Sequence, residues 1–301
     1  MQSLLILAVV GLIAQLVDGS LGMAYGVTSS TLLISAGIAP AAASAAVHFS
    51  EIGTTVASGI AHHKLGNVDW RTVRIIALPG GIGAFAGATL LSNIDGDAAK
   101  PWVAALLLGL GLYVMWRFLV LGGKRPTFKG AVSGLFLAPL GLVAGLMDAI
   151  GGGGWGPVGT TTLLSTGRLE PRKVVGSIDA SEFIVAIGGS VGFLLALGSQ
   201  GIDFGIALAL LAGGVIAAPF AAWLVRHMAP RVLGVAAGGL IVITNLRTIL
   251  LTLGVKDAPL LAILGGLLAG WLVLVAWTVR KERATRRAER AEVALAEVAA
   301  A

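Results

Sequence analysis

The chain has no cysteine, and charged residues fill only 12% of its 301 positions. The first absence removes disulfides, thiolate metal sites and cysteine nucleophiles. The second removes the soluble classes, since a soluble domain carries charge at about 25% of its positions. What is present instead is 56% hydrophobic residues and a mean hydropathy of +0.93. Such a chain cannot cover its apolar surface with polar side chains in water. A soluble enzyme, a disordered protein and a nucleic-acid module are excluded, and the solvent is a bilayer. Gly occurs 44 times, close to twice the usual share of about 7%. In membrane helices glycine permits close packing and helix breaks.

A membrane-spanning helix needs about 20 mostly apolar residues. The segments Pro40–Ala61, Val73–Leu91, Trp102–Leu121, Val174–Leu197, Ile206–Val225, Val232–Leu251 and Pro259–Val279 meet that length. Two others, Leu4–Ala36 and Ala131–Thr166, are too long for one span, and an acid with a glycine cluster interrupts each. The interruptions are 18–26 (DGSLGMAYG) and 148–156 (DAIGGGGWG). Irregular backbone at membrane depth is tolerated only where protein or a wet cavity satisfies it. Both segments therefore read as two half-helices around a break, either a re-entrant hairpin or two short spans. The start of the chain has no positive region before its apolar run and no convincing cleavage site, so the first segment is expected to be retained.

Basic residues set the orientation. Lys64, Arg71 and Arg74 share one loop region, Arg117, Lys124, Arg125 and Lys129 another, and Arg168, Arg172 and Lys173 a third. Arg226 and Arg231 follow, and Arg280, Lys281, Arg283, Arg286, Arg287 and Arg290 crowd the tail. The positive-inside rule puts all of these, and the C-terminus, in the cytoplasm. This assignment absorbs the net charge of +6 without a nucleic-acid partner. The loops near 95–100, 200–203 and 256–257 face out.

The chain repeats itself at a shift of 130. Leu16, Asp18, Gly22 and Gly26 recur as Leu146, Asp148, Gly152 and Gly156. Thr31, Leu33, Ser35 and Gly37 recur as Thr161, Leu163, Ser165 and Gly167, and Ser50-Glu51 as Ser181-Glu182 at a shift of 131. Each copy holds a broken segment with an even number of crossings, then three spans. An odd total makes the second copy enter from the opposite side. The expected fold is thus an all-α polytopic membrane protein built as an inverted-topology repeat with an extra C-terminal transmembrane helix. Its parts are 1–125, 126–255, the extra helix 256–280, and a charged helical tail 281–301. Inverted repeats whose broken helices meet near the midplane characterise secondary transporters.

The stretch 16–23 (LVDGSLGM), the loop 62–70 (HHKLGNVDW) and the glycine-rich run 151–156 resemble the TauE/SafE sulfite exporter family. The resemblance covers about residues 4 to 255. It implies a bacterial or archaeal inner-membrane transporter of sulfite, organosulfonates and related small anions. One departure is Ala24-Tyr25-Gly26, where the family more often has consecutive glycines.

The residues themselves supply a chemical reason for an anion. Half-helices are expected to start near Ala24 and Trp155, and a helix N-terminus presents free N–H groups and a positive dipole end. Glycine lets a ligand approach the backbone closely. The expected substrate site is therefore Gly22, Ala24, Tyr25, Gly26 and Thr28 from one break, with Gly152, Gly153, Gly154, Trp155, Gly156 and Thr160 from the other. Asp18 and Asp148 would repel an anion. A capping role ranks first for them and a proton-carrying role second. His48 and Glu51, at i,i+3 inside a span, are the pair expected to couple protons. Arg117 and Arg247 end equivalent spans, where they snorkel or steer anions. No cofactor is expected. No metal is expected either, because His62 and His63 lack an acid or thiol at ligand spacing. The predicted activity is alternating-access transport of a small anion, coupled to protons, with the oligomeric state left open. An anion channel of the same architecture is the alternative. An intramembrane enzyme ranks last, since no specific nucleophile–base pair appears.

Overall fold

The computed structural model describes residues 4–21, 23–120, 130–227 and 230–300. The boundary expected near residue 125 lies outside them. Every regular element in the described residues is helical. The first half holds α1 (Leu4–Leu21), α2 (Tyr25–Ser35), α3 (Pro40–Lys64), α4 (Trp70–Ser92) and α5 (Gly96–Val120). The second holds α6 (Gly134–Gly151), a π-helical turn (Trp155–Thr160) running into α7 (Thr161–Ser165), then α8 (Pro171–Leu197), α9 (Phe204–His227) and α10 (Pro230–Thr252). A single helix, α11, closes the chain at Asp257–Ala300. Both long apolar segments are broken where the acid–glycine clusters lie. The pieces after the breaks are about 16 Å long at 1.5 Å per residue, half of a bilayer core.

Six helices are long and apolar enough to cross a membrane: α4, α5, α6, most of α8, most of α10, and Asp257–Thr285 of α11. The helix α3 has the length, 25 residues, but not the apolarity. It carries Ser44, His48, Ser50, Glu51 and Thr55, all buried. Its polar side is the wall of the site rather than a lipid-facing surface.

The two halves interlock. The most extensive contacts are α4 with α6, α1 with α9 and α4 with α8, and α3 makes a smaller one with α9. Under the repeat, α1 corresponds to α6, α3 to α8 and α4 to α9, so each contact has its matched partner. The self-matched pairs α5–α10 and α3–α8 also pack together. Each broken helix thus lies on a helix of the other half, as a two-fold relation requires. The glycines carry this crossing. A Cβ on Gly83 would overlap the Leu142 carbonyl and one on Gly141 would stand 2.6 Å from the Ile76 carbonyl. At the matched positions, Gly213 faces the Ala8 carbonyl and Gly11 the Leu210 carbonyl, again with no room for a side chain. Backbones in contact at four repeat-related points are how small residues hold membrane helices together.

The loop 62–70 is a docking element. Asp69 caps α4, accepting from the Arg71 amide at 3.3 Å and the Thr72 hydroxyl at 2.6 Å, which supplies a carboxylate to an orphan N–H. The Asp69 amide donates to Ser177 Oγ at 2.8 Å. Lys173 reaches the Val68 carbonyl at 3.1 Å. The loop is thereby pinned to the start of α8.

The helix α11 stands apart. It packs on α10, anchored by the Trp271 indole donating to the Val235 carbonyl at 3.2 Å. None of its most apolar stretch is buried, so its apolar face meets lipid. Its 44 residues run about 66 Å, twice the hydrocarbon thickness. Lys281 lies 4.9 Å over the Trp277 ring where the apolar stretch gives way to the charged tail.

Candidate functional site

The two breaks meet back to back. A Cβ on Gly26 would overlap the Gly152 carbonyl and stand 2.7 Å from Gly153 Cα. Gly153 in turn presses on the Val27 amide nitrogen. Ser30 locks the crossing by donating to the Gly152 carbonyl at 2.9 Å, and Ser44 by donating to the Ala149 carbonyl at 2.6 Å. Gly152 takes φ 63°, the left-handed conformation that ends α6, as glycine does at helix C-termini. In the first break the left-handed residue is Ala24, at φ 96°, two positions beyond the repeat counterpart of Gly152. An L-residue pays a steric cost there that glycine does not. Ala24→Gly is therefore expected to raise stability by about 1 kcal/mol, or roughly 2–4 °C in Tm, measured by thermal unfolding in detergent.

Both acids cap the half-helices that follow them. Asp148 Oδ1 accepts from the amides of Gly154 at 2.6 Å and Trp155 at 2.9 Å. Asp18 Oδ1 accepts from the Tyr25 amide at 3.1 Å. The aromatic residue after each cap is tethered to its own half's long helix. The Trp155 indole donates to the Ile178 carbonyl at 3.0 Å, and the Tyr25 hydroxyl lies 3.2 Å from Ser50 Oγ. Ser50 and Ser181 bond back to matched carbonyls, Val47 and Ile178, each at 2.7 Å.

Below the crossing lies a cavity lined by both breaks: Ala24, Tyr25 and Gly26 from one, Gly153, Gly154 and Gly156 from the other, with Asp18 and Asp148. Asp179 and Glu182 of α8 close it. A second cavity shares Asp18, Tyr25, Asp179 and Glu182 and adds Glu51, Thr55 and Ser58 of α3. It lies toward the α3 end that carries the basic loop. No described Lys or Arg lines either cavity. At the same end, His62 Nε2 stands 4.0 Å from Asp179 Oδ2. Burial holds the His62 imidazole below its ordinary 6.5.

His48 is buried beside the crossing. Its Nδ1 is 2.9 Å from the Ser44 carbonyl and its Nε2 is 3.3 Å from Asp148 Oδ2. Donor atoms of His48, Glu51 and Asp148 lie within 4.8 Å of one another, the one such three-residue group among the described residues. A single positive charge, carried by a proton or another cation, is the occupant those three donors suit. Phe193 packs edge-on at 5.8 Å, and Gly189 leaves the space the imidazole fills.

The expected residues thus divide. Ala24, Tyr25, Gly26, Gly153, Gly154, Gly156, Asp18 and Asp148 line the first cavity, and Glu51 the second. Gly152 and Trp155 are buried in the crossing itself. Gly22 lies outside the described residues. Thr28 and Thr160 are buried behind the breaks with hydroxyls that have no hydrogen-bond partner, and neither lines a cavity. Arg117 is half-buried near the end of α5 and Arg247 is exposed, and neither lines a cavity. Asp179 faces His62. Asp179 and Glu182, which the repeat matches to His48 and Glu51 and so places in one constellation of ionisable groups with them, line the cavities, although the sequence favoured His48 and Glu51 for coupling.

Two interlocked copies of a broken-helix unit, with capped half-helices crossing over an internal polar cavity, define a multi-pass membrane transporter. A family model described as sulfite exporter TauE/SafE matches residues 7–248, and the chain belongs to that family. It is 51% identical over 255 residues to the probable membrane transporter protein YtnM of Bacillus subtilis (strain 168), covering 83% of this chain and 84% of that one. More distant are the probable membrane transporter protein YdhB of the same organism, 25% identical over 47% of this chain and 58% of its own, and one from Xylella fastidiosa (strain 9a5c), 29% identical over 46% and 62%. No solved structure matches the chain significantly.

Proposed function

We propose that this protein is a secondary transporter that moves sulfite, an organosulfonate or a related small sulfur anion by alternating access, coupled to protons. In this reading the two halves have inverted topology in the inner membrane, the basic loops and C-terminus face the cytoplasm, and the anion binds at the crossing of the breaks. The observation that carries the coupling is the charge of the lining. Asp18, Glu51, Asp148, Asp179 and Glu182 surround the two cavities with no described Lys or Arg. An anion meets like charge there unless protons neutralise it, since an unpaired charge at membrane depth is expensive. Anion and proton then enter together. The half-helix dipoles favour the anion on the other side of the balance.

The test is flux in proteoliposomes. With sulfite on both sides and the pH lower on one, the anion is expected to accumulate above equilibrium on the opposite side, and a protonophore should collapse the gradient. Flux that runs only downhill would make the protein an anion channel of the same architecture.

A further inference from the structure

We propose that one proton of the transport cycle is held between His48 Nε2 and Asp148 Oδ2, and that Asp18 and Asp179 form its receiving pair on the other side of the crossing, with Glu51 as the relay. This rests on the transport reading above and names the residues that do the coupling.

The argument starts from a tautomer. A backbone carbonyl only accepts, so the Ser44 carbonyl at 2.9 Å obliges His48 Nδ1 to carry a hydrogen. In the neutral ring Nε2 is then a bare acceptor. It stands 3.3 Å from Asp148 Oδ2, and an ionised carboxylate is also only an acceptor. Two lone pairs at that distance, buried at 0% and 2% exposure, repel each other. One added proton, on the ring or on the carboxyl, turns the repulsion into a charge-assisted hydrogen bond. Asp148 Oδ1 is already committed to the Gly154 and Trp155 amides, so Oδ2 alone is free to share it. The Glu51 carboxylate supplies the third donor atom of the group, and its Oε2 is buried without a partner.

The duplication supplies the rest. At the repeat shifts Asp148 matches Asp18, His48 matches Asp179 and Glu51 matches Glu182. The first pair joins α3 of one half to the break of the other, and Asp179 and Asp18 are its mirror image. His48 lies eight residues from the Pro40 end of α3, and Asp179 eight residues from the Pro171 end of α8. The two pairs therefore sit at opposite depths. Asp18, Asp179, Glu182 and Glu51 share the second cavity, whereas His48 does not reach it. A proton leaving Nε2 can pass to the Glu51 carboxylate and from there to the cavity carboxylates. The bond broken is N–H and the bond formed is O–H, with no other reactant. The titratable groups facing this path are Asp18 from α1, Tyr25 from α2, His48, Glu51 and His62 from α3, Asp148 from α6, and Asp179 and Glu182 from α8.

The test is nitrogen-15 NMR of the histidine-labelled protein, which has four His, with His48 assigned by His48→Gln. The expected result at neutral pH is a His48 ring protonated at Nδ1, with Nε2 shifted as a proton-sharing nitrogen. In Asp148→Asn, which keeps the capping oxygen, Nε2 should become a plain unprotonated acceptor, and proton-driven accumulation should fall to the equilibrium ratio of about 1. An Nε2–H tautomer overturns the proposal. So does an Nε2 signal unchanged by Asp148→Asn, full accumulation in that variant, or a stoichiometric metal in the purified protein that is lost with His48→Gln. The NMR readout needs no substrate. A wild-type protein that shows the shared proton but accumulates no anion would refute the transport reading and leave this pair standing.

Discussion

Asp148→Ala is expected to cost about 3–5 kcal/mol of stability, while Asp18→Ala costs about 1–2 kcal/mol. The two residues are repeat equivalents, so the difference isolates what each carboxylate holds. Asp148 accepts from two amides in a buried turn, at 2.6 and 2.9 Å, and faces a fully buried histidine. Removing it strands two buried N–H groups and one imidazole, each of which then bears its desolvation penalty. Asp18 is less enclosed and accepts from one amide at 3.1 Å, the ordinary value of an N-cap. Unfolding by denaturant in detergent, read by far-UV circular dichroism, gives both numbers. Equal losses would mean that the His48 side of Asp148 contributes nothing.

Gly153→Leu is expected to prevent accumulation of folded protein, whereas Gly266→Leu is expected to be neutral within about 1 kcal/mol. The first substitution puts a side chain into the Val27 amide and the Gly26 carbonyl carbon. Backbone cannot rotate away as a side chain can, so the two breaks would have to separate, and overpacking of this kind exceeds the usual 1–3 kcal/mol. Gly266 has nothing within 4 Å and faces lipid on α11, where leucine is the better helix former. The comparison is read as membrane-extracted monodisperse protein by size exclusion. A folded Gly153→Leu protein would show that the breaks do not pack as described. A side chain at Gly152 meets Ser30 on top of the left-handed φ, so Gly152→Leu is expected to lower stability together with any effect on binding.

Much of this protein is legible in its residues. The apolar runs set where helices lie, because in a bilayer the backbone has no other way to satisfy its hydrogen bonds along a segment. The acid–glycine clusters marked both breaks within a residue or two, since glycine and a capping carboxylate are what a helix end needs. The shift of 130 located the duplication. A shift of 131 matches Asp179 to His48 and Glu182 to Glu51, although two acids beside a basic loop were easily taken for surface pairs.

Which atoms meet was decided by the tertiary structure alone. From spacing, His48 pairs with Glu51 on one helix face. In the fold its nearest charge is Asp148, 100 residues away in sequence, because α6 ends beside α3 once the halves interlock. The expected anion-binding N–H groups at Gly154, Trp155 and Tyr25 are held by the chain's own carboxylates, which no local pattern reveals. Composition and periodicity act along one helix at a time and therefore determine the solvent, the helices and the breaks. The reciprocal crossing of α1 on α9 and α6 on α4 is set by backbone contacts between distant glycines, and those contacts place five carboxylates around two neighbouring cavities.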